Sequence, residues 1–232
     1  MDMSINQSAG VAERAFFSAN DDTEWLEDAR TGIYPAFKRA IDVVGAGVGL
    51  ILLAPMFLAV ALLVKLDSPG PVLFAQTRVG RQGRLFRCWK FRSMFNDAEA
   101  RKAELLANNE MRGGTTFKMK RDPRITRVGR FIRKASIDEL PQLWNVLSGE
   151  MSLVGPRPPV PQEVAEYTAW QRQRLAVKPG ITCIWQVSGR SDIPFEQQVQ
   201  LDLAYIRKRS LMLDIRLLLA TVPAVLFARG AY

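Results

Sequence analysis

The longest patterned stretch of the chain is an apolar run from Ala40 to Val64, opened by Lys38-Arg39 and closed by Lys65. About 20 apolar residues suffice to cross a bilayer. The run is apolar nearly all round, which predicts a helix in lipid or deep in a core rather than a soluble amphipathic one. Asp42 lies near its start, where an acid suits a helix N-terminus. Pro55, after Ala54, removes a backbone hydrogen bond in the middle and predicts a kink there. Basic residues flank both ends, so the positive-inside rule gives a straight span no clear orientation. A helix that enters, bends at Pro55 and leaves on the same side keeps both flanks in one compartment. That re-entrant form is favoured, with a tilted, kinked single span as the alternative.

Beyond it the pattern breaks into short elements. Asp67-Ser68-Pro69-Gly70-Pro71 is a turn cluster, and Val72 to Ala75 reads as a short strand. Arg78, Arg81, Arg84 and Arg87 recur among glycines, around Leu85-Phe86. Residues 97–108 read as a charged helix, broken by Gly113-Gly114. Arg121-Asp122-Pro123-Arg124 is a turn leading into a basic helix from Arg127 to Lys134. Leu140, Leu143, Trp144 and Leu147 follow helical spacing and predict one buried face, ended by Ser148-Gly149. Gly155-Pro156-Arg157-Pro158-Pro159 is a rigid extended loop. A helix is expected from Val164 to Val177, stopped by Lys178-Pro179-Gly180, then a strand from Ile184 to Val187 and a turn at Ser188-Gly189-Arg190. Phe195 to Lys208 reads as helix. Leu211 to Phe227 is apolar but interrupted by Asp214, Arg216 and Pro223. It is read as helices lying at a bilayer surface, with a plain core helix as the alternative. The fold class is α+β, mainly α: a polar tail over 1–32, a re-entrant membrane helix over 33–66, and a small domain with interfacial helices over 67–232.

Charge sharpens this division. The 232 residues carry a net charge of +9. Residues 1–30 hold seven acids against two bases, which is −5, so residues 31–232 carry +14. The body is the basic part, suited to anionic lipid, phosphorylated substrate or nucleic acid. The acidic tail has no basic region followed by an apolar run, so no signal peptide is expected there; a short helix around Trp25 is. The sequence has no histidine, which removes His-based triads and most zinc sites. Two cysteines, Cys88 and Cys183, imply no disulfide framework. Chemistry is left to carboxylates, hydroxyls, Lys and Arg.

The densest chemical signal is Ser136-Ile137-Asp138-Glu139-Leu140-Pro141-Gln142. Two readings stand. Ser-x-x-Glu is a capping box, and Asp138 as the cap would place Pro141 in the first turn, where it is tolerated. Alternatively, adjacent acids project about 100° apart on a helix and divide roles, one attacking phosphorus while the other holds Mg²⁺, which prefers oxygen ligands. Lys90, Arg92, Arg133, Arg157 and Arg190 supply the cations that phosphoryl transfer requires.

Lys90-Phe91-Arg92-Ser93-Met94, Asp138-Glu139-Leu140-Pro141-Gln142, Val154-Gly155-Pro156-Arg157-Pro158, Pro179-Gly180-Ile181-Thr182 and Trp185-Gln186-Val187-Ser188-Gly189-Arg190, in this order, resemble the bacterial sugar transferase family. These are monotopic phosphoglycosyl transferases, and the resemblance runs from about Phe37 to the C-terminus, closest to the short exopolysaccharide-initiating type. It implies a re-entrant helix broken at a position that Ala54-Pro55 matches. It implies ping-pong chemistry, in which Asp138 attacks the β-phosphorus of a UDP-sugar, releases UMP, and passes glucose or galactose 1-phosphate to undecaprenyl phosphate. Glu139, with Asp138, would serve the Mg²⁺ site, and Lys90, Arg133, Arg157 and Asp202 match positions associated with phosphate binding or active-site structure. The implied setting is the cytoplasmic face of the bacterial inner membrane, with membrane lipid and no nucleic acid as partner; a homodimer is left open. Cys183, Lys178 and Ala54 depart from the usual glycine, arginine and serine. The rival chemistry is glycosyl transfer to polyprenyl phosphate with release of UDP.

Overall fold

The computed structural model describes residues 33–98, 100 and 122–227. The expected acidic tail with its Trp25 helix, the charged helix beyond Ala98 (Ala100 apart) and the Gly113-Gly114 break lie outside the described residues.

Helix α1 spans Tyr34–Asp67 and runs through Pro55 as one element. It is long and apolar enough to cross a membrane. Two faces divide it. Ala46 packs with Leu143, Val146 and Met151, and Val60 and Val64 pack with Phe91 and Ile132, so both halves dock on the same body. The opposite face leaves Val44, Ile51, Leu52, Leu58, Leu62 and Leu66 exposed, an apolar stripe that water would disfavour.

Arginines fasten both ends of α1 through carbonyls that helix termini leave without partners. Arg39 donates 2.6 and 2.8 Å bonds to the Val146 and Leu147 carbonyls, in the short helix α3, Leu143–Ser148. Arg92 donates to the Val64 and Ser68 carbonyls at the other end. Between these two ends lies the hairpin of β1, Leu73–Val79, and β2, Leu85–Phe91, antiparallel with Leu73 opposite Phe91 and Val79 opposite Leu85. The turn needs left-handed backbone at Gln82 (φ 58°) and Gly83 (φ 78°). Strand β2 was not anticipated. Its alternation of exposed Leu85 and Arg87 with buried Phe86 and Cys88 is a period-two signal, masked in sequence by the arginines.

Helix α2, Arg127–Lys134, follows the Asp122–Arg124 turn, with the Thr126 hydroxyl accepting from the Gly129 N–H. Strands β3, Ser152–Val154, and β4, Gly180–Thr182, pair in parallel, and a Cβ on Gly180 would overlap the Gly155 backbone. Helices α4 (Pro161–Ala165) and α5 (Ala169–Arg172) lie between them. The continuous helix expected from Val164 to Val177 is therefore corrected: Thr168 restarts the chain with a capping box, its hydroxyl accepting from Gln171 N–H. The strand expected from Ile184 to Val187 is helix α6, Ile184–Ser188. Its apolar residues have period three, and Ile184 and Val187 pack together on the core of α7, Phe195–Lys208, and α8, Leu211–Phe227.

In α8, Asp214 does not face solvent. It is 1% exposed and accepts bonds from Tyr34 and Tyr205 at 3.0 and 2.7 Å, with Lys38 at 3.4 Å. The face that remains open carries Met212, Ile215, Leu219 and Val222, a second apolar stripe at helical spacing.

Candidate active site

Neither capping reading describes the Asp138-Glu139 segment. Ser136 is left-handed (φ 55°) and its side chain caps nothing; Ile137–Gln142 is a 3₁₀ turn containing Pro141. Three residues per turn shift the phase entering α3. Trp144 is consequently 60% exposed while Val146 and Asn145 are fully buried, which corrects the buried face expected from Leu140, Leu143, Trp144 and Leu147.

Glu139 Oε1 receives the Lys90 ammonium at 2.6 Å and the Arg157 guanidinium at 3.0 Å. Burial pushes this carboxyl up, but Arg157 and Lys90 together outweigh it and hold Glu139 ionised below the usual carboxylate range. Asp138 is 8% exposed and, among the described residues, accepts no hydrogen bond. Burial pushes it up to about 6, against Lys90, with the Glu139 charge adding to the rise and Arg133 and Arg157 opposing it. Two adjacent carboxylates thus have separated ionisation, one neutralised and fixed, the other costly to ionise and without a fixed partner.

Supporting contacts come from elements far apart in sequence. Asn145, fully buried, accepts from Trp89 N–H at 3.0 Å and donates to the Arg87 carbonyl at 2.7 Å, locking β2 to α3 beside the dyad. Arg133, at the end of α2, is near enough to act on Asp138. Arg190 (φ 53°) is near enough to feel Glu139, whose charge offsets the downward push of its burial. A narrow cleft is lined by Lys90, Gln142, Arg157 and Arg78.

The structure brings Asp138, Glu139, Lys90 and Arg157 together, with Arg133 and Arg190 in electrostatic reach. Arg92 and Asp202 are engaged elsewhere. The Arg92 guanidinium is buried on the carbonyls that close α1, a fastening role in place of the expected phosphate contact. Asp202, fully buried, pairs with Arg174 at 2.6 Å, and that guanidinium lies over the Tyr167 and Phe195 rings. Sequence reasoning missed Asn145, Gln142 and a role for Arg78. Only the hairpin register would have placed Arg78 on the same sheet face as Lys90.

The described residues contain no cluster of three or more acidic or cysteine side chains placed to hold a metal. Mg²⁺ is commonly held by one or two carboxylates, with phosphate oxygens and water completing its shell. The unbonded Asp138 carboxylate beside Glu139 fits such an ion, one shared with a phosphorylated substrate.

A buried acid pair whose Glu139 is held by Lys and Arg, on a body carrying a long apolar helix, suits a protein that handles phosphate at a membrane. The Bacterial sugar transferase family matches residues 33–228, and the chain belongs to it. It is 49% identical over 195 residues to a protein named galactosyl transferase CpsE from Streptococcus agalactiae, covering 84% of this chain and 43% of that protein. It is 46% identical to the undecaprenyl-phosphate galactose phosphotransferase of Salmonella typhimurium, covering 84% and 41%. It is 42% identical to the exopolysaccharide production protein ExoY of Sinorhizobium fredii, covering 84% and 88%. The chain thus spans less than half of the first two relatives and most of the third.

The ionisation of Asp138 sets an expected pH profile. A carboxylate is nucleophilic only when ionised, so if Asp138 attacks phosphorus, the nucleotide-releasing step should fall about tenfold per pH unit below about 6. Pre-steady-state release of the nucleotide product between pH 4.5 and 8 measures this; a rate flat down to pH 4.5 would remove Asp138 as the attacking group.

Proposed function

We propose that the chain transfers a hexose 1-phosphate, glucose or galactose, from a UDP-sugar to undecaprenyl phosphate, releasing UMP, as the first membrane step of exopolysaccharide assembly. The observation that carries this reading is the unbonded, buried Asp138 beside a Glu139 already neutralised by Lys90 and Arg157. Relatives named for undecaprenyl-phosphate galactose or glucose phosphotransfer, or for exopolysaccharide production, support the substrate class.

An Asp138 oxygen attacks the β-phosphorus, the bond from that phosphorus to the bridging oxygen breaks, and UMP leaves with the electron pair. The acceptor's phosphate oxygen then attacks the same phosphorus and returns Asp138 as a carboxylate. Glu139 fixes Lys90 and Arg157, whose remaining N–H groups neutralise the equatorial oxygens. Asp138 and Glu139 would hold Mg²⁺, which when bound adds positive charge at the diphosphate.

We place the protein at the cytoplasmic face of the inner membrane with α1 re-entrant. Docking of both α1 halves on one body supports this, as do the exposed stripes of α1 and α8. A straight span would carry one half away from that body.

Incubation of the membrane-reconstituted protein with UDP-glucose or UDP-galactose and undecaprenyl phosphate should yield UMP, and chelation should stop it. Release of UDP would replace this reading with glycosyl transfer, and turnover undiminished by chelation would remove the metal.

A further inference from the structure

The cleft wall carries three cations, and they are not equivalent. Lys90 and Arg157 are both tied to Glu139 Oε1 and share its single charge. The third is Arg78. In the hairpin register Phe74 faces Lys90, Gln76 faces Cys88 and Arg78 faces Phe86. Alternation therefore puts Arg78 on the same sheet face as Lys90 and Cys88, and all three line the cleft.

Arg78 is seated by neutral acceptors. Nε and one terminal nitrogen donate to Gln76 Oε1 at 3.0 and 2.6 Å, and the other terminal nitrogen donates to the Pro158 carbonyl at 2.8 Å. Among the described residues no carboxylate lies within ion-pair distance of it. A guanidinium has five N–H bonds, and three hydrogen bonds leave two. The fork is therefore held in one orientation while its charge stays undischarged, in a partly desolvated wall where an unpaired cation is costly. Burial pushes its pKa down, as does the neighbouring Arg157 charge. An incoming anion offsets that cost, and an already oriented donor needs little reorganisation to receive it.

We propose that Arg78 is a phosphate-binding residue of this cleft, the cation kept available for a substrate's phosphate because Gln76 and Pro158 orient it without neutralising it. The inference rests on the reading of the cleft as a phosphoryl-transfer site. Two sources offer the same chemistry, the nucleotide and the polyprenyl phosphate, and both are measured.

The decisive variant is Gln76→Glu. It keeps an acceptor for the fork but supplies the missing counter-charge, so a seat that merely positions the Pro158 loop would be preserved or strengthened. Full-length protein in nanodiscs is titrated with UMP by calorimetry and assayed for the apparent KM of a short polyprenyl phosphate. Thermal unfolding runs in parallel. Gln76→Glu and Arg78→Gln should each weaken UMP binding by about 10- to 100-fold, with Arg78→Lys in between. Gln76→Glu should unfold at or above the wild-type temperature. A rise confined to the polyprenyl phosphate KM would assign the same cation to the acceptor's phosphate. Wild-type values of both constants in Gln76→Glu would overturn the proposal. UMP binding is read without turnover, so an enzyme found to release UDP would sink the reaction assigned above while leaving this result to stand or fall alone.

Discussion

Asp138→Asn should abolish turnover, by about 10⁴-fold or more, while making the protein more stable. An amide does not form the acyl phosphate that a carboxylate nucleophile forms. The stability gain follows from the sign of the ionisation shift. A carboxyl raised from 3.8 to about 6 on folding contributes stability that is present below pH 3.8 and lost as pH rises through about 6. At pH 7 the charged Asp138 therefore costs the native state on the order of 3 kcal/mol relative to its neutral form. Asn is neutral at every pH. Its variant should gain about 2–3 kcal/mol at pH 7, a rise of several degrees in unfolding temperature, and the gain should vanish below pH 4. Calorimetry at pH 7 and pH 4 with a UMP-release assay checks both parts. Glu139→Gln should behave oppositely in stability, because it leaves Lys90 and Arg157 sharing a site with no counter-charge. A destabilised or active Asp138→Asn protein would contradict the site as described.

How much of this was legible in the chain depends on the range of the forces involved. The apolar run gave α1, and the Phe195–Lys208 helix and the Arg127–Lys134 helix were read correctly, because burial periodicity is local. Of the two readings of the Ser136–Gln142 segment, capping failed because its signature is also local, whereas the contact that prevailed is not. Glu139 reaches Lys90, 49 residues away, and that ion pair takes the carboxylate a capping box would have used. Ile184 to Val187 misled for a similar reason: four apolar-rich residues fit a strand or a helix, and packing on α7 and α8 decided. Arg92 and Lys90 sit two residues apart in one motif, so both were read as phosphate ligands. Nothing in the motif reveals that the β2 end turns Arg92 toward the carbonyls closing α1. Asp42 and Asp214 looked like interruptions of apolar segments, yet both are buried and bonded.

Asp42 supports the second large effect. Hydropathy alone makes Asp42→Leu an improvement, since it removes the charge from the first turns of an otherwise apolar helix. The structure leads to the reverse expectation. Asp42 Oδ1 accepts from the Leu153 N–H at 2.9 Å and from the Ser152 hydroxyl at 3.0 Å, and it holds Lys38 at 3.1 Å. The Tyr205 hydroxyl shares its one proton between Asp214 at 2.7 Å and the Val154 carbonyl at 3.1 Å. Strand β3 is thereby clamped from the α1 side and from the α7–α8 side, and it leads directly into the Gly155–Pro159 loop that carries Arg157. A leucine at 42 removes the acceptor of the half-buried Leu153 N–H and the buried Ser152 hydroxyl, and leaves Lys38 only the longer contact to Asp214. Losing one partner of a buried network of this kind costs about 3–5 kcal/mol. Turnover should drop at least tenfold as the Arg157 loop loses its register. With the head of α1 less firmly fastened, the N-terminus should, on the proposed topology, become accessible from the periplasm in a fraction of molecules. Asp42→Asn, which keeps an acceptor, should retain more of each property. Thermal unfolding, UMP release and membrane-impermeant labelling of an introduced N-terminal cysteine, with Cys88 and Cys183 replaced, measure the three effects. A leucine variant with wild-type stability, turnover and labelling would mean that the polar network at the head of α1 does not hold the active-site loop in place.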